Sequence, residues 1–276
     1  MLKSVIDPYG VLCCVSGGGM PQIESALGII KAIYAAKFCR FDHMWGTSAG
    51  AIVSAVNMSF DQDTSRFEKV LRETDPDKWF KLKPWQAVKS IFGLSNYVAD
   101  NTGFKDFLLE NVSQDAVERV RCAVTELPGG RVGKSVMCSG QPRAVLASMS
   151  FQHVFPPVIW DGIPHGDGGV FNNIPIPSIT ELPKYTHVYI ILAADTPLFP
   201  RFKYWPFLDS VLNLVDRTMC REVAQLEELG IGDLPNVTVL QPPEFVKSAD
   251  FLHWSKDFEQ IEASYNYALN VLEKEG

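Results

Sequence analysis

Apolar positions along the chain fall into blocks of strand and helix length, separated by glycine, proline and small polar residues. Val11-Leu12-Cys13-Cys14-Val15 is an apolar run of strand length that breaks at Ser16-Gly17-Gly18-Gly19, and a helical stretch follows from Glu24 to Lys37. A second apolar strand gives way at Gly46 to Ala49-Gly50-Ala51-Ile52-Val53-Ser54-Ala55-Val56, the pattern of a tightly packed helix. Further helices are expected at Thr64 to Glu73 and at Gly103 to Glu110, with Thr102 as a cap. Arg119 to Thr125 and Gly133 to Cys138 predict two strands around a turn at Pro128-Gly129-Gly130. His187 to Ala193 is fully apolar, which suits a strand covered on both faces. Val237 to Leu240 is a strand between long helices at Asp209 to Leu229 and Trp254 to Lys274. Strands alternating with helices predict a three-layer α/β/α sandwich with a mainly parallel central sheet. At 276 residues and 46% hydrophobic content one domain spanning 1–276 has a full core, and no internal repeat or second domain is required.

Charge narrows the partners. The 25 basic and 32 acidic residues give a net charge of −7, which argues against general attraction to nucleic acid or to an anionic bilayer. Two local segments depart from that average. Lys78-Trp79-Phe80-Lys81-Leu82-Lys83-Pro84-Trp85, continuing to Lys89 and Phe92, and Phe199 to Phe207 both interleave cations with large aromatics. Such side chains partition well to a lipid interface, so a lid or docking segment is expected at 75–100. The plain alternative is aromatics packed in the core beside solvated lysines.

The start Met1-Leu2-Lys3-Ser4 lacks the apolar run of a secretory signal, and no stretch of about 20 apolar residues suggests a membrane-spanning helix. Cys13, Cys14, Cys39, Cys122, Cys138 and Cys220 show no metal-ligand spacing and read as buried free thiols, with Cys13 and Cys14 on opposite strand faces. The expected location is cytoplasmic, with peripheral membrane contact. Neither metal nor cofactor is expected, since the acidic residues lack an EF-hand spacing.

Three segments carry chemistry. Gly46-Thr47-Ser48-Ala49-Gly50 places a serine between two glycines where a strand meets a helix, the pattern of a nucleophile elbow. Gly17-Gly18-Gly19 lets consecutive amides point into one space, as an oxyanion hole requires. A phosphate loop is the competing reading, but no Lys-Ser or Lys-Thr follows. His165-Gly166-Asp167-Gly168-Gly169-Val170-Phe171-Asn172-Asn173-Ile174-Pro175 places one carboxylate on a flexible glycine-rich bend, able to approach a serine from another strand as a general base.

Together these segments resemble the patatin-like phospholipases. The resemblance rests on four places in order: Ser16-Gly17-Gly18-Gly19, Gly46-Thr47-Ser48-Ala49-Gly50, Ala147-Ser148 through Phe155-Pro156-Pro157-Val158, and Asp167-Gly168-Gly169-Val170 with Asn172-Asn173-Ile174-Pro175. It implies a patatin-like fold and a serine acyl hydrolase acting on phospholipid or other lipid esters. Ser48 would be the nucleophile and Asp167 its base, in a dyad supported by Gly46, Gly50, Gly168 and Gly169. Gly17, Gly18 and Gly19 would form the oxyanion hole, with Gly18 and Gly19 the first choice.

The sequence departs from the family where an arginine or lysine and a further glycine usually follow the glycine loop. Here Gly19 is followed by Met20-Pro21-Gln22-Ile23-Glu24, and Pro21 has no amide proton to donate. The departure raises the idea of a protein activator, and equally of a lipid-binding scaffold that has lost turnover. A third reading is a small-ester esterase with a histidine base. Of His43, His153, His165, His187 and His253, His165 is the best rival, two residues before Asp167 and so on the same side of an extended segment.

Overall fold

The computed structural model describes residues 9–37, 39–79, 81–82, 97, 99–128, 133–194, 206–246 and 254–274. Its centre is an eight-stranded sheet. The strands are β1 (Val11–Val15), β2 (His43–Thr47), β3 (Val120–Glu126), β4 (Ser135–Ser139), β5 (Val158–Trp160), β6 (Ile163–Asp167), β7 (His187–Ile191) and β8 (Val237–Leu240). The longer helices are α1 (Gly19–Lys37), α2 (Ala49–Ser59), α3 (Thr64–Glu73), α4 (Thr102–Asn111), α5 (Pro142–Ser148), α6 (Pro206–Glu228) and α7 (Glu259–Lys274).

The sheet order is β8-β7-β1-β2-β3-β6-β5, with β4 also paired to β3. Pairing is parallel from β8 through to β3 and antiparallel for β3 with β4, β3 with β6, and β5 with β6. The mainly parallel expectation therefore describes one half of a mixed sheet. Alternate residues of the central strands enter different layers, as the two-residue period of a strand demands. Cys13, Val15, Tyr189 and Ile191 pack with α1, α2 and α7, while Leu12, Cys14, Val188 and Ile190 pack with Leu226 of α6. This is the three-layer α/β/α arrangement, and it puts Cys13 and Cys14 on opposite faces.

Several boundaries differ from the sequence expectation for local reasons. Helix α1 begins at Gly19 rather than Glu24. Gly19 turns the chain at φ 70°, and Pro21 is tolerated because first-turn N–H groups have no acceptor within the helix. Thr102 is the first residue of α4 and not its cap, its N–H taken by Asp100 Oδ1 at 2.8 Å. The last helix starts at Glu259, because Asp257 and Phe258 have positive φ and interrupt the helical path after Trp254.

Trp79, at 3% exposure, packs on Phe104, Phe107 and Trp254, so that aromatic belongs to the core. Most of the lid or docking stretch at 75–100, residues 199–205 of the second cluster, His253, and Gly129 and Gly130 of the expected turn lie outside the described residues. Among the described residues no helix is long and apolar enough to cross a membrane.

Candidate active site

The site lies where two strands meet end to end. Residues 121–123 of β3 pair with β2 along one edge and with β4 along the other, and Val124 and Thr125 pair with both β4 and β6. Strands β2 and β6 therefore share one edge of β3. Thr47 stands opposite Ala123 and Asp167 opposite the next residue, Val124. Adjacent strand residues rise about 3.3 Å, so this register carries the last residue of β6 up to the turn that follows β2.

That turn is built by close backbone approach. A Cβ on Gly46 would overlap the carbonyl of Gly50, and one on Gly50 would overlap the carbonyls of Val15 and Ser16. Only glycine lets α2 start so tightly against β1 and β2. Ser48 between them has φ 53° and ψ −120°, a conformation that costs a non-glycine residue on the order of 1–3 kcal/mol. Its side chain is held at the mouth of α2, whose N-terminus favours negative charge. Ser48 N–H donates to Ser148 Oγ at 2.9 Å, and Ser148 Oγ donates to Ala123 O at 2.6 Å. Ser148, buried at the end of α5, thus ties the elbow to β3. Met149 Sδ lies 3.6 Å from Ser48 Oγ.

Asp167 is the last residue of β6 and is 2% exposed. The flexible bend expected from its glycine-rich neighbourhood is instead a strand end followed by one 3₁₀ turn, Gly168–Val170. Gly168 packs where a Cβ would overlap Ala123 O, which lets this turn lie directly on β3. The backbone of Asp167 is fully engaged. Its N–H donates to Ser150 O at 2.9 Å, and its carbonyl accepts from Thr125 Oγ1 at 2.8 Å and Gln152 Nε2 at 3.0 Å. The carboxylate accepts Gly169 N–H at 2.7 Å, and the Ser48 hydroxyl, whose geometric hydrogen-bond partner is Met149 Sδ, lies close enough to act on it electrostatically. Burial pushes its pKa up to about 7, against the lowering effect of Gly169 N–H and the Ser48 hydroxyl. A carboxylate so placed can take a serine proton near neutral pH.

The glycine loop completes the cavity wall. Gly17 packs on Ser48, and its N–H donates to Asn173 O at 3.1 Å. This removes Gly17 from the expected set of three oxyanion donors, because its one amide proton already has an acceptor. Gly18 and Gly19 stand at the N-terminus of α1. Ser16 anchors the loop, its N–H donating to Ile191 O at 2.9 Å and its Oγ accepting Ala193 N–H at 2.8 Å.

His165 is not brought to the serine. Its ring stacks on Trp160 with centroids 3.3 Å apart, and Nδ1 lies 2.9 Å from Ile163 O within the β5–β6 hairpin. Burial lowers its pKa. Among the described residues no group of three or more His, Cys, Asp and Glu side chains could hold a metal ion.

The sequence alone assigns no role to Ser148, Thr125, Gln152 or Asn173, although Ser148, Gln152 and Asn173 lie in segments carrying the resemblance. Each is a small or amide side chain in an apolar context, and only the pairing of distant strands shows what it bonds.

The patatin-like phospholipase family matches residues 13–179, more than half of the chain. The crystal structure of VipD from Legionella pneumophila is similar in fold, with a TM-score of 0.52 at 13% identity over 97% of this chain and 67% of that one. No curated protein matches the sequence.

Proposed function

The chain belongs to the patatin-like phospholipase family, and we propose from that premise that it cleaves carboxylic ester bonds of phospholipids through an acyl-Ser48 intermediate. The observation that supports this most is the register that carries Asp167, a buried carboxylate whose pKa is raised to about 7 and lowered in part by the Ser48 hydroxyl, up to the turn bearing Ser48. Asp167 accepts the Ser48 proton as Oγ attacks the ester carbonyl. The developing oxyanion faces the amides of Gly18 and Gly19, each worth roughly 3–4 kcal/mol to the transition state. Asp167 then returns the proton to the departing lysolipid oxygen. A water molecule, deprotonated by the same carboxylate, attacks the acyl-serine and releases a fatty acid and free Ser48.

The starting point of α1 bears on the altered loop. With Pro21 inside the first helical turn, no donor is forfeited that the helix or the oxyanion would have used. We therefore expect the purified chain to turn over without a protein activator. The histidine-base reading loses its support because the His165 ring is committed to Trp160 and the Ile163 carbonyl.

The test is release of free fatty acid from mixed phospholipid vesicles by the purified protein alongside Ser48→Ala, Asp167→Asn and His165→Ala. Release by wild type and His165→Ala alone is the expected result. Release lost in Ser48→Ala and His165→Ala but retained in Asp167→Asn would establish the histidine-base alternative, and vesicle binding without release in all four would establish a lipid-binding scaffold.

A further inference from the structure

Helix α6 reaches the site from beyond residue 179, where the family match ends. Two of its side chains, one turn apart, terminate on the segment that follows Asp167. Thr218 Oγ1 donates to Val170 O at 2.9 Å and is 4% exposed. Glu222 Oε2 accepts Ile174 N–H at 2.8 Å, and the neighbouring Asn173 N–H acts on the same carboxylate electrostatically. The peptide groups it grips are the ones that hold the rest of the site together. Asn173 O accepts Gly17 N–H at 3.1 Å, and Asn172 O accepts Thr47 Oγ1 at 2.8 Å. One short segment thus joins the glycine loop, the strand leading to Ser48 and the turn after Asp167, and a side chain of α6 fixes its far end.

We infer that Glu222 is a positioning residue for the acyl-transfer reaction, holding the 172–174 peptides so that, through Asn173 O and Gly17 N–H, the Gly18 and Gly19 amides keep their register against Ser48. The inference rests on the hydrolase reading proposed above. A carboxylate is an expensive way merely to pack a helix on a loop, since burial disfavours its charged form. Here burial lifts its pKa to about 7, opposed by the two amides and by Arg221 beside it. Apolar contacts already hold α6 in place: Val215 and Met219 pack against Val170, and Leu226 packs against Ile174. What a carboxylate adds is direction, because a charge-assisted bond to the Ile174 amide fixes the orientation of the peptide that carries Asn173 O as dispersion contacts do not. Displacing an oxyanion donor by about 1 Å is enough to cost up to about 100-fold in rate.

Steady-state kinetics on a soluble ester, paired with amide hydrogen exchange of peptides covering 16–20 and 168–176, test this in Glu222→Leu, Glu222→Gln and Glu222→Asp. Glu222→Leu, which removes both acceptor oxygens, should lower kcat by about 10- to 100-fold with KM within about twofold, and should speed exchange in both peptides. Glu222→Gln retains an acceptor oxygen and should recover kcat to within about threefold of wild type. Should the leucine variant fail to fold, Glu222→Asp carries the test: it withdraws the carboxylate by one methylene and should still lose about tenfold in kcat. Wild-type kcat in Glu222→Leu or Glu222→Asp, or glutamine as poor as leucine, would overturn the inference while leaving an active hydrolase. A wild-type protein without turnover would instead overturn the hydrolase reading, and the inference with it.

Discussion

Ser48 stands on a turn built by close backbone packing, while Asp167 is held by polar groups gathered from three other places in the chain. Around the serine, Gly46 and Gly50 admit backbone against backbone, and the strained φ of 53° follows from that local packing. Around the aspartate, the fixing groups are Thr125 of β3, Ser150 and Gln152 after α5, and, through the following segment, Thr218 and Glu222 of α6. Ser48 is therefore placed mainly by close backbone packing and Asp167 by polar contacts from distant parts of the chain. Changes near Ser48 should act through backbone strain. Changes affecting Asp167 should act from far away in the sequence and through protonation.

The largest effect that separates the two regions is expected for Ser48→Gly. Turnover should fall by about 10⁴-fold or more, as when a nucleophile is removed from a unit of catalytic groups. Stability should rise by about 1 kcal/mol, because glycine adopts the positive φ without strain. Thermal unfolding beside the ester assay checks both; a less stable glycine variant would show that the elbow is not strained.

Asp167→Asn should be read against pH. The carboxyl has an ordinary value of 3.8 and a folded value of about 7, so between those limits the folded state holds a proton that the unfolded state has released. Wild-type stability from this group is present below about pH 4 and lost as pH rises towards 7. The asparagine variant lacks that loss, and its advantage should grow from near zero at pH 4 to about 4 kcal/mol at pH 8. Denaturant titrations at three pH values measure it, and a pH-independent difference would contradict the raised pKa. Glu24, which accepts Ser255 N–H and Oγ–H at 2.8 and 2.9 Å, and Glu222 share the direction of shift, so wild type and variant should both lose further stability over the same window, and the difference between them isolates Asp167.

Ser148→Ala tests a polar tether on the serine side. It leaves Ser48 N–H and Ala123 O without their present partner, a cost of about 1–3 kcal/mol in stability, with a smaller loss in turnover than any dyad substitution. Full stability would mean that backbone packing alone sets the elbow.

The same contrast explains what was legible beforehand. The elbow and glycine loop were readable because close backbone approach demands glycine at fixed short spacing, and Gly46, Gly50, Gly17 and Gly18 supply it. Asp167 was identifiable as a residue, but its setting was not. Pro164, Gly166 and Gly168 erase the strand signal of β6, although the strand forms by pairing with Thr125 and Glu126 of β3, some 40 residues earlier. Gly17 was assigned as a donor because an amide's availability depends on Asn173, which is distant in sequence. The grip of α6 had no sequence signal at all, since a glutamate and a threonine one turn apart are ordinary on a helix. The alternation of strands and helices did convey the layered fold, and it failed mainly at the antiparallel end, where short strands are set by their partners.

The most direct test of the proposed dyad is mass spectrometry of the protein quenched in acid during turnover of a phospholipid or activated ester. An acyl group on the peptide containing Ser48, absent in Ser48→Ala and strongly reduced in Asp167→Asn, is the expected result. An acyl group on another residue, or undiminished fatty acid release by Ser48→Ala, would contradict it.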